Sequence, residues 1–274
     1  MQPLDPSKAI LNWPNAHACL ERCELAYDKN PQLDLPSIQS CPSTTYVPGL
    51  NIADDLHTDA QAVILDEENC ISVAFRGSQA PEDYIQDAKF ELTELTDGPV
   101  GIRVHKGFQE DWCAIRANVL ATLSRLLLPN PRKPIFVMGH SLGGALAIFA
   151  GKDFAELSFN LRAVYTFGQP RVGNFQFADD YDATSALFPR TLKDITFRVV
   201  NENDIVPRVP FAPAFRHCGL KIFLCCPMGV IVNPHWWETA DSDSVGFLHA
   251  VLKRTDVIVG DHYLAAYQKR MANL

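Results

Sequence analysis

The sequence predicts an α/β fold with a central, mostly parallel mixed sheet flanked by helices. Three observations predict it. Short apolar runs rich in β-branched and aromatic residues recur at 71–75, 134–138, 161–167 and 195–200, as strands buried on both faces do. Between several of them the apolar spacing turns helical, which gives the strand, helix, strand rhythm of a layered sheet. One strand exit, Gly139-His140-Ser141-Leu142-Gly143-Gly144, is a Gly-x-Ser-x-Gly turn leading into Ala145-Leu146-Ala147-Ile148-Phe149-Ala150, a run that favours a helix.

In chain order, the apolar residues Cys19, Leu20, Cys23, Leu25, Ala26 and Tyr27 predict a helix over 15–28. Pro31, Pro36, Pro42 and Pro48 then mark irregular surface loop up to about residue 50. Ala62-Val63-Ile64-Leu65 and Ile71-Ser72-Val73-Ala74-Phe75, separated by Asp66-Glu67-Glu68-Asn69, read as a hairpin. Residues 79–90 read as a short helix, with Tyr84, Ile85 and Ala88 on one face and Glu82, Asp83 and Asp87 on the other. A short strand at 102–105 leads into a helix over 109–127 carrying Trp112, Ile115, Val119, Leu123 and Leu126. Pro129, Pro131 and Pro134 end that helix before the strand that delivers Ser141. Beyond the elbow, strands at 161–167 and 195–200 exit into Gly168-Gln169-Pro170 and Asn201-Glu202-Asn203-Asp204. Residues 211–238 predict a hairpin plus an apolar flap, and 263–271 a last helix that docks through Leu264 and Tyr267. No internal repeat or low-complexity tract divides the chain, so one domain over 1–274 is expected.

Composition bounds the partners. A net charge of −8, with no cluster of Lys and Arg, argues against nucleic acid and against strong attraction to anionic lipid. The longest apolar run, 222–232, is broken by Pro227 and Gly229 and is too short to span a bilayer. Residues 1–6 hold neither a basic nor an apolar leader segment, so no signal peptide is visible. The compartment stays open between the cytoplasm and a processed, secreted form. The eight cysteines form no Cys-x-x-Cys pair and no zinc-ligand spacing, and neither metal nor cofactor is expected. Buried free thiols are the preferred reading, with one disulfide among Cys218, Cys225 and Cys226 left open.

A serine hydroxyl is a weak nucleophile at neutral pH and needs a base within hydrogen-bond reach. In strand–turn–helix elbows the partners follow in the order Ser, acid, His. Downstream of Ser141 stand His217, His235, His249 and His262. His262 is favoured because Gly260-Asp261-His262-Tyr263 forms a turn able to return an imidazole to the elbow, and His249 ranks second. Asp204 is favoured as the acid because it follows a buried strand directly, whereas Asp179, Asp180, Asp182 and Asp194 lie in polar stretches. An oxyanion would be held by the N–H of Leu142 and by a second donor after an earlier strand, where Gly77-Ser78 fits. Tyr84, Ile85 and His140 are expected to contact substrate.

Six stretches together carry a resemblance. They are Phe75-Arg76-Gly77-Ser78, Val104-His105-Lys106-Gly107-Phe108, the 139–147 elbow, Thr166-Phe167-Gly168-Gln169-Pro170-Arg171-Val172-Gly173-Asn174, Val200-Asn201-Glu202-Asn203-Asp204-Ile205-Val206-Pro207 and Asp261-His262. In this order the chain resembles the class 3, fungal-type lipases of the α/β-hydrolase superfamily, a family that also holds feruloyl esterases and some phospholipases A1. The resemblance implies a Ser141, Asp204 and His262 triad, oxyanion donors at Ser78 and Leu142, a lid at about 79–90, and ester hydrolysis through an acyl-enzyme. Lipid at a lipid–water interface, or another ester, is the implied partner. The family's lid often bears a tryptophan, whereas this segment has Tyr84, Ile85 and three acids, which predicts weak interfacial activation. Within the implied chemistry, acylglycerol hydrolysis comes first, with short-chain, feruloyl-type or phospholipid esters as alternatives. A silent hydrolase fold used as a binding module, or a peptidase, ranks lower.

Overall fold

The structure is a computed structural model that describes residues 1–27, 43–48, 60–78, 91–187, 189–210, 213–225, 229–235 and 260–272. The expected lid at 79–90, with Tyr84 and Ile85, lies outside the described residues, as does His249. The helices are α1 (Trp13–Ala26), α2 (Lys106–Leu126), α3 (Leu142–Glu156), α4 (Phe175–Ala183), α5 (Leu192–Ile195) and α6 (Leu264–Met271). The strands are β1 (Ser43–Pro48), β2 (Gln61–Asp66), β3 (Ile71–Phe75), β4 (Leu92–Glu94), β5 (Arg103–His105), β6 (Ile135–His140), β7 (Leu161–Phe167), β8 (Ser185–Leu187), β9 (Arg190–Thr191), β10 (Thr196–Asn201), β11 (Leu220–Cys225) and β12 (Gly229–Val232).

Eight strands form one sheet in the order β1-β2-β3-β6-β7-β10-β11-β12. The five from β3 to β11 run parallel, and β2 and β12 pair antiparallel at the two sides. The central strands β3, β6 and β10 are buried along their whole length, which is why they read as unbroken apolar runs. Successive side chains alternate between two cores. Val137 and Val164 face the layer of α2, α3 and α4, packing with Phe108, Ile115, Leu146, Phe154 and Phe177. Phe136, Met138 and Tyr165 face the layer of α1 and α6, packing with Leu20, Cys23 and Tyr267.

The expected mixed sheet, the 62–75 hairpin and the last helix are found. Helix α1 starts earlier than expected because Asn12 caps it, accepting from the Asn15 N–H at 3.0 Å, and Pro14 is tolerated in the first turn. The loop expected up to residue 50 is corrected: 43–48 is a strand, paired Ser43↔Asp66 through Pro48↔Gln61. It is an edge strand, where a proline costs no ladder bond to a further neighbour. Helix α4 was not expected, because its aspartates hide a stripe of Phe177, Ala178 and Tyr181; the Asn174 cap, accepting from Phe177 N–H at 2.9 Å, marks its start. Among the described cysteines Cys19, Cys23 and Cys218 are buried free thiols, Cys70 and Cys225 are buried, and Cys113 is free and exposed. No helix among the described residues is long and apolar enough to cross a membrane.

Candidate active site

The sheet brings three strand ends together. Ser141 leaves β6 with φ 57° and ψ −129° and caps α3, so the elbow expected from the glycines is present in its strained form. Such a backbone costs of order 1–3 kcal/mol and persists only where its surroundings impose it. Here they do. A Cβ on Gly139 would lie 2.0 Å from the Gly143 carbonyl oxygen, and one on Gly143 would lie 2.2 Å from the Phe75 carbonyl oxygen. The Ser141 N–H donates to the Phe167 carbonyl at 2.9 Å, and its own carbonyl accepts from the Gly144 N–H at 2.9 Å. Leu142, in the first helical turn, has an N–H with no intrahelical acceptor. The end of β3 runs beside the serine: a Cβ on Gly77 would lie 3.0 Å from the Ser141 Cβ, with half-buried Ser78 next in the chain.

Asp204 follows β10 in a short turn and is fully buried. A carboxylate is buried only at great cost unless it is paired and hydrogen-bonded, and this one is well supplied. Its Oδ2 accepts from His262 Nδ1 at 2.9 Å and from the Tyr267 hydroxyl at 2.7 Å, and its Oδ1 accepts from the Val206 N–H at 2.9 Å. The Tyr267 hydroxyl in turn accepts from the Asn201 N–H at 3.1 Å. Burial, then the neighbouring Asp204 charge, pushes the Tyr267 phenol well above its usual range, so it stays a donor. A carboxylate accepts only, so His262 Nδ1 carries a proton, and in the neutral ring Nε2 would present the lone pair. That Nε2 is buried without a partner among the described residues. The His262 turn is fastened by Asn201, whose Nδ2 donates to the Asp261 carbonyl at 2.8 Å. Gly168, at φ +60°, lets the chain pass close over the pair, since a Cβ there would lie 2.8 Å from Asp204 Oδ2 and from His262 Cε1.

Asp204 and His262 are thus in direct contact, and His262 stacks on His140, the residue before Ser141, at 4.6 Å between ring centroids. The expectation that His140 contacts substrate is not met by its surroundings. It is 4% exposed, Nδ1 lies 2.8 Å from the Tyr27 hydroxyl, and Nε2 lies 2.7 Å from the His262 carbonyl. Both nitrogens are occupied within the protein. Burial, then the neighbouring His262, pushes its pKa down to about 3, so it is neutral. His217 binds the Pro207 carbonyl through Nε2 at 2.6 Å, and His235 is exposed. Sequence reading assigned no such roles to Tyr267 and Tyr27. The available signal was a tyrosine on an apolar helical face, since a buried phenol needs a polar partner.

A separate cleft of about 220 Å³, lined by Leu95, Trp112, Arg116, Lys152, Asp153 and Asp180 among others, lies toward the far end of α3. From Ser141 to Lys152 the helix rises ~16 Å. It is remote from the elbow, and its two cations are each paired, Arg116 with Asp153 and Lys152 with Asp180 and Glu156.

The comparisons agree with this geometry. The lipase of Rhizomucor miehei is 36% identical over 192 residues, 67% of this chain and 50% of that protein. The secreted mono- and diacylglycerol lipase A of Penicillium cyclopium is 28% identical over 198 residues, 70% of this chain and 61% of that protein. The chain therefore spans about half to three-fifths of the length of these curated relatives. Among solved structures, the lipase of Rhizopus microsporus var. chinensis superposes with a TM-score of 0.68 at 26% identity, covering 83% of this chain and 80% of that one. A triacylglycerol lipase described as having a serine-protease triad superposes with a TM-score of 0.56 at 32% identity, covering 64% of this chain and 65% of that one. Residues 72–214, just over half of the chain and including the elbow and Asp204, match the family described as lipase (class 3). With its α/β-hydrolase fold, the chain belongs to the class 3 lipase family.

Proposed function

We propose that this protein hydrolyses carboxylic esters through an acyl-enzyme on Ser141, with acylglycerols as the preferred class. The observation that carries the reading is the buried Asp204–His262 pair, its Nε2 without a partner among the described residues, beside a serine held at φ 57°. In this reading His262 Nε2 takes the Ser141 proton as Oγ bonds to the ester carbonyl carbon, and Asp204 fixes the tautomer and stabilises the imidazolium. The N–H groups of Leu142 and Ser78 hold the developing oxyanion. His262 returns the proton to the leaving alcohol as the acyl–oxygen bond breaks, and a water, activated by the same base, releases the acid. Turnover requires His262 Nε2 as proton acceptor.

The relatives named as lipases and as mono- and diacylglycerol lipases support acylglycerol as the substrate class. The rest of the assignment is made on sequence alone: one domain over 1–274, a lid at about 79–90, and Tyr84 and Ile85 as substrate contacts. Two experiments test the reading. Ser141→Ala is expected to reduce ester turnover by at least 10⁴-fold in a folded protein; a folded variant keeping most of its activity overturns the triad. Turnover of p-nitrophenyl esters of rising chain length, below and above their solubility limits, tests the substrate. A maximum at long chains supports the lipase, and a maximum at short, dissolved esters replaces it with an esterase.

A further inference from the structure

Tyr27 ends α1 as its C-cap and stands outside the stretch that matches the family. Its hydroxyl nevertheless touches Gly77 and His140, and through His140 it is linked to the His262 turn. The hydrogens can be assigned. The His262 carbonyl only accepts, so the proton of His140 sits on Nε2, 2.7 Å from that oxygen. His140 Nδ1 then carries a lone pair and accepts from the Tyr27 hydroxyl at 2.8 Å. The Tyr27 oxygen also packs directly against Gly77, where an added Cβ would lie 2.2 Å from it. Donation therefore runs one way, from Tyr27 through His140 to the backbone of His262, with Gly77 packed against the start of the chain. The His140 ring also stacks on the His262 ring at 29° between planes.

We propose that Tyr27 is a positioning residue: through His140 it locks the Gly77-Ser78 loop, the serine elbow and the His262 turn into one register. The inference rests on the serine-hydrolase reading above. Asp204 fixes the His262 ring at Nδ1, and the backbone of its turn is held by the bonds from Asn201 to the Asp261 carbonyl and from His140 to the His262 carbonyl itself. The same tyrosine holds Gly77, and with it the N–H of Ser78, at a set distance from Ser141. Base and oxyanion donor are thereby referred to one oxygen atom. Small displacements of such groups cost rate rather than binding, because the transition state demands tighter geometry than the ground state.

Tyr27→Phe removes only the hydroxyl, leaving His140 Nδ1 without its partner and Gly77 without the oxygen it packs against. On a soluble ester, kcat is expected to fall about tenfold or more with KM within about twofold, in a protein that still melts cooperatively. His140→Phe is expected to fall further, and the double variant no further than His140→Phe alone, because the two side chains act in one chain. An unchanged kcat in Tyr27→Phe, a loss confined to KM, or losses that multiply in the double variant would overturn the proposal. If His140→Phe does not fold, the kcat and KM of Tyr27→Phe decide alone. A dead Ser141→Ala beside a fully active Tyr27→Phe rejects the positioning role and leaves the hydrolase reading standing; an active Ser141→Ala rejects both.

Discussion

The serine elbow and the Asp204–His262 corner meet at one place but are held by opposite means. The elbow is fixed by crowding: Gly139 against Gly143, and Gly143 against the end of β3, with no side-chain hydrogen bond to the backbone at the helix cap. The corner is fixed by polar bonds from scattered positions: Tyr267 and Val206 on Asp204, Asn201 on the Asp261 carbonyl, and His140 on the His262 carbonyl. A contact made by missing atoms tolerates no addition, whereas a network loses one bond at a time. The two regions should therefore fail differently.

The largest expected effect is at the elbow. Gly139→Ala drives a methyl to 2.0 Å from a backbone oxygen, which no rotamer relieves, so strand and helix must separate. The expected loss is more than about 4 kcal/mol, the range reserved for such clashes, measured by urea unfolding or as failure to fold. A midpoint within about 1 kcal/mol of the parent would show that the crowding is relieved by slight movement of α3.

Acid acts next, and on the polar side. His140 is held down to about 3 and His105 to about 4, each chiefly by burial, and burial also lowers His217 well below its usual value. The unfolded chain binds protons on these rings below about pH 6.5 while the folded one does not, so stability falls as pH falls through that window. From pH 6.5 to 4.5 His140 alone is expected to cost about 2 kcal/mol, with the other two acting in the same direction. Urea midpoints across that range check it; a flat profile would mean that these rings are protonated in the folded state.

Tyr267→Phe is smaller. It removes one of the Asp204 donors and leaves the Asn201 N–H without its acceptor, while the ring keeps its place in the core between Phe167 and His140. A stability loss of about 1–2 kcal/mol is expected, with kcat down about tenfold and the melting transition still cooperative. Loss of all activity would mean that the hydroxyl is as necessary as Asp204 itself.

The same contrast explains what was legible beforehand. Crowding selects glycine at fixed short spacing, so 139–144 announces itself within six residues. The Asp204–His262 contact could be anticipated because Asp204 directly follows a buried strand and His262 sits in the turn before the last helix, and because the order Ser, acid, His narrows the choice. Tyr27 and Tyr267 lie far from their partners in the chain, and each reads locally as another apolar position on a helix. His140 was misread for the same reason: its neighbour in sequence is the serine, but its partners come from α1 and the His262 turn. Edge strand β1 was hidden by its terminal Pro48 and the prolines that precede it in the chain, and a proline in an edge strand breaks no ladder bond to a further strand.

The smallest effect tests whether exposed charge shares in either scheme. Lys106 opens α2 and meets Glu91 at 3.4 Å, with side chains 47% and 61% exposed. Water screens such a pair, and holding two long side chains together consumes most of what it gains. Lys106 also stands at the positive end of the helix dipole, so its removal returns a few tenths of a kcal/mol. What seats α2 is instead its buried face of Phe108, Trp112, Ile115 and Val119, with the His105 ring, stacked on Phe108, capping the first turn. Lys106→Ala is therefore expected to change stability by no more than about 0.5 kcal/mol and to leave kcat unchanged. A loss above about 1 kcal/mol would place the seating of α2 in surface charge, and crowding and buried bonds would no longer account for how this site is held.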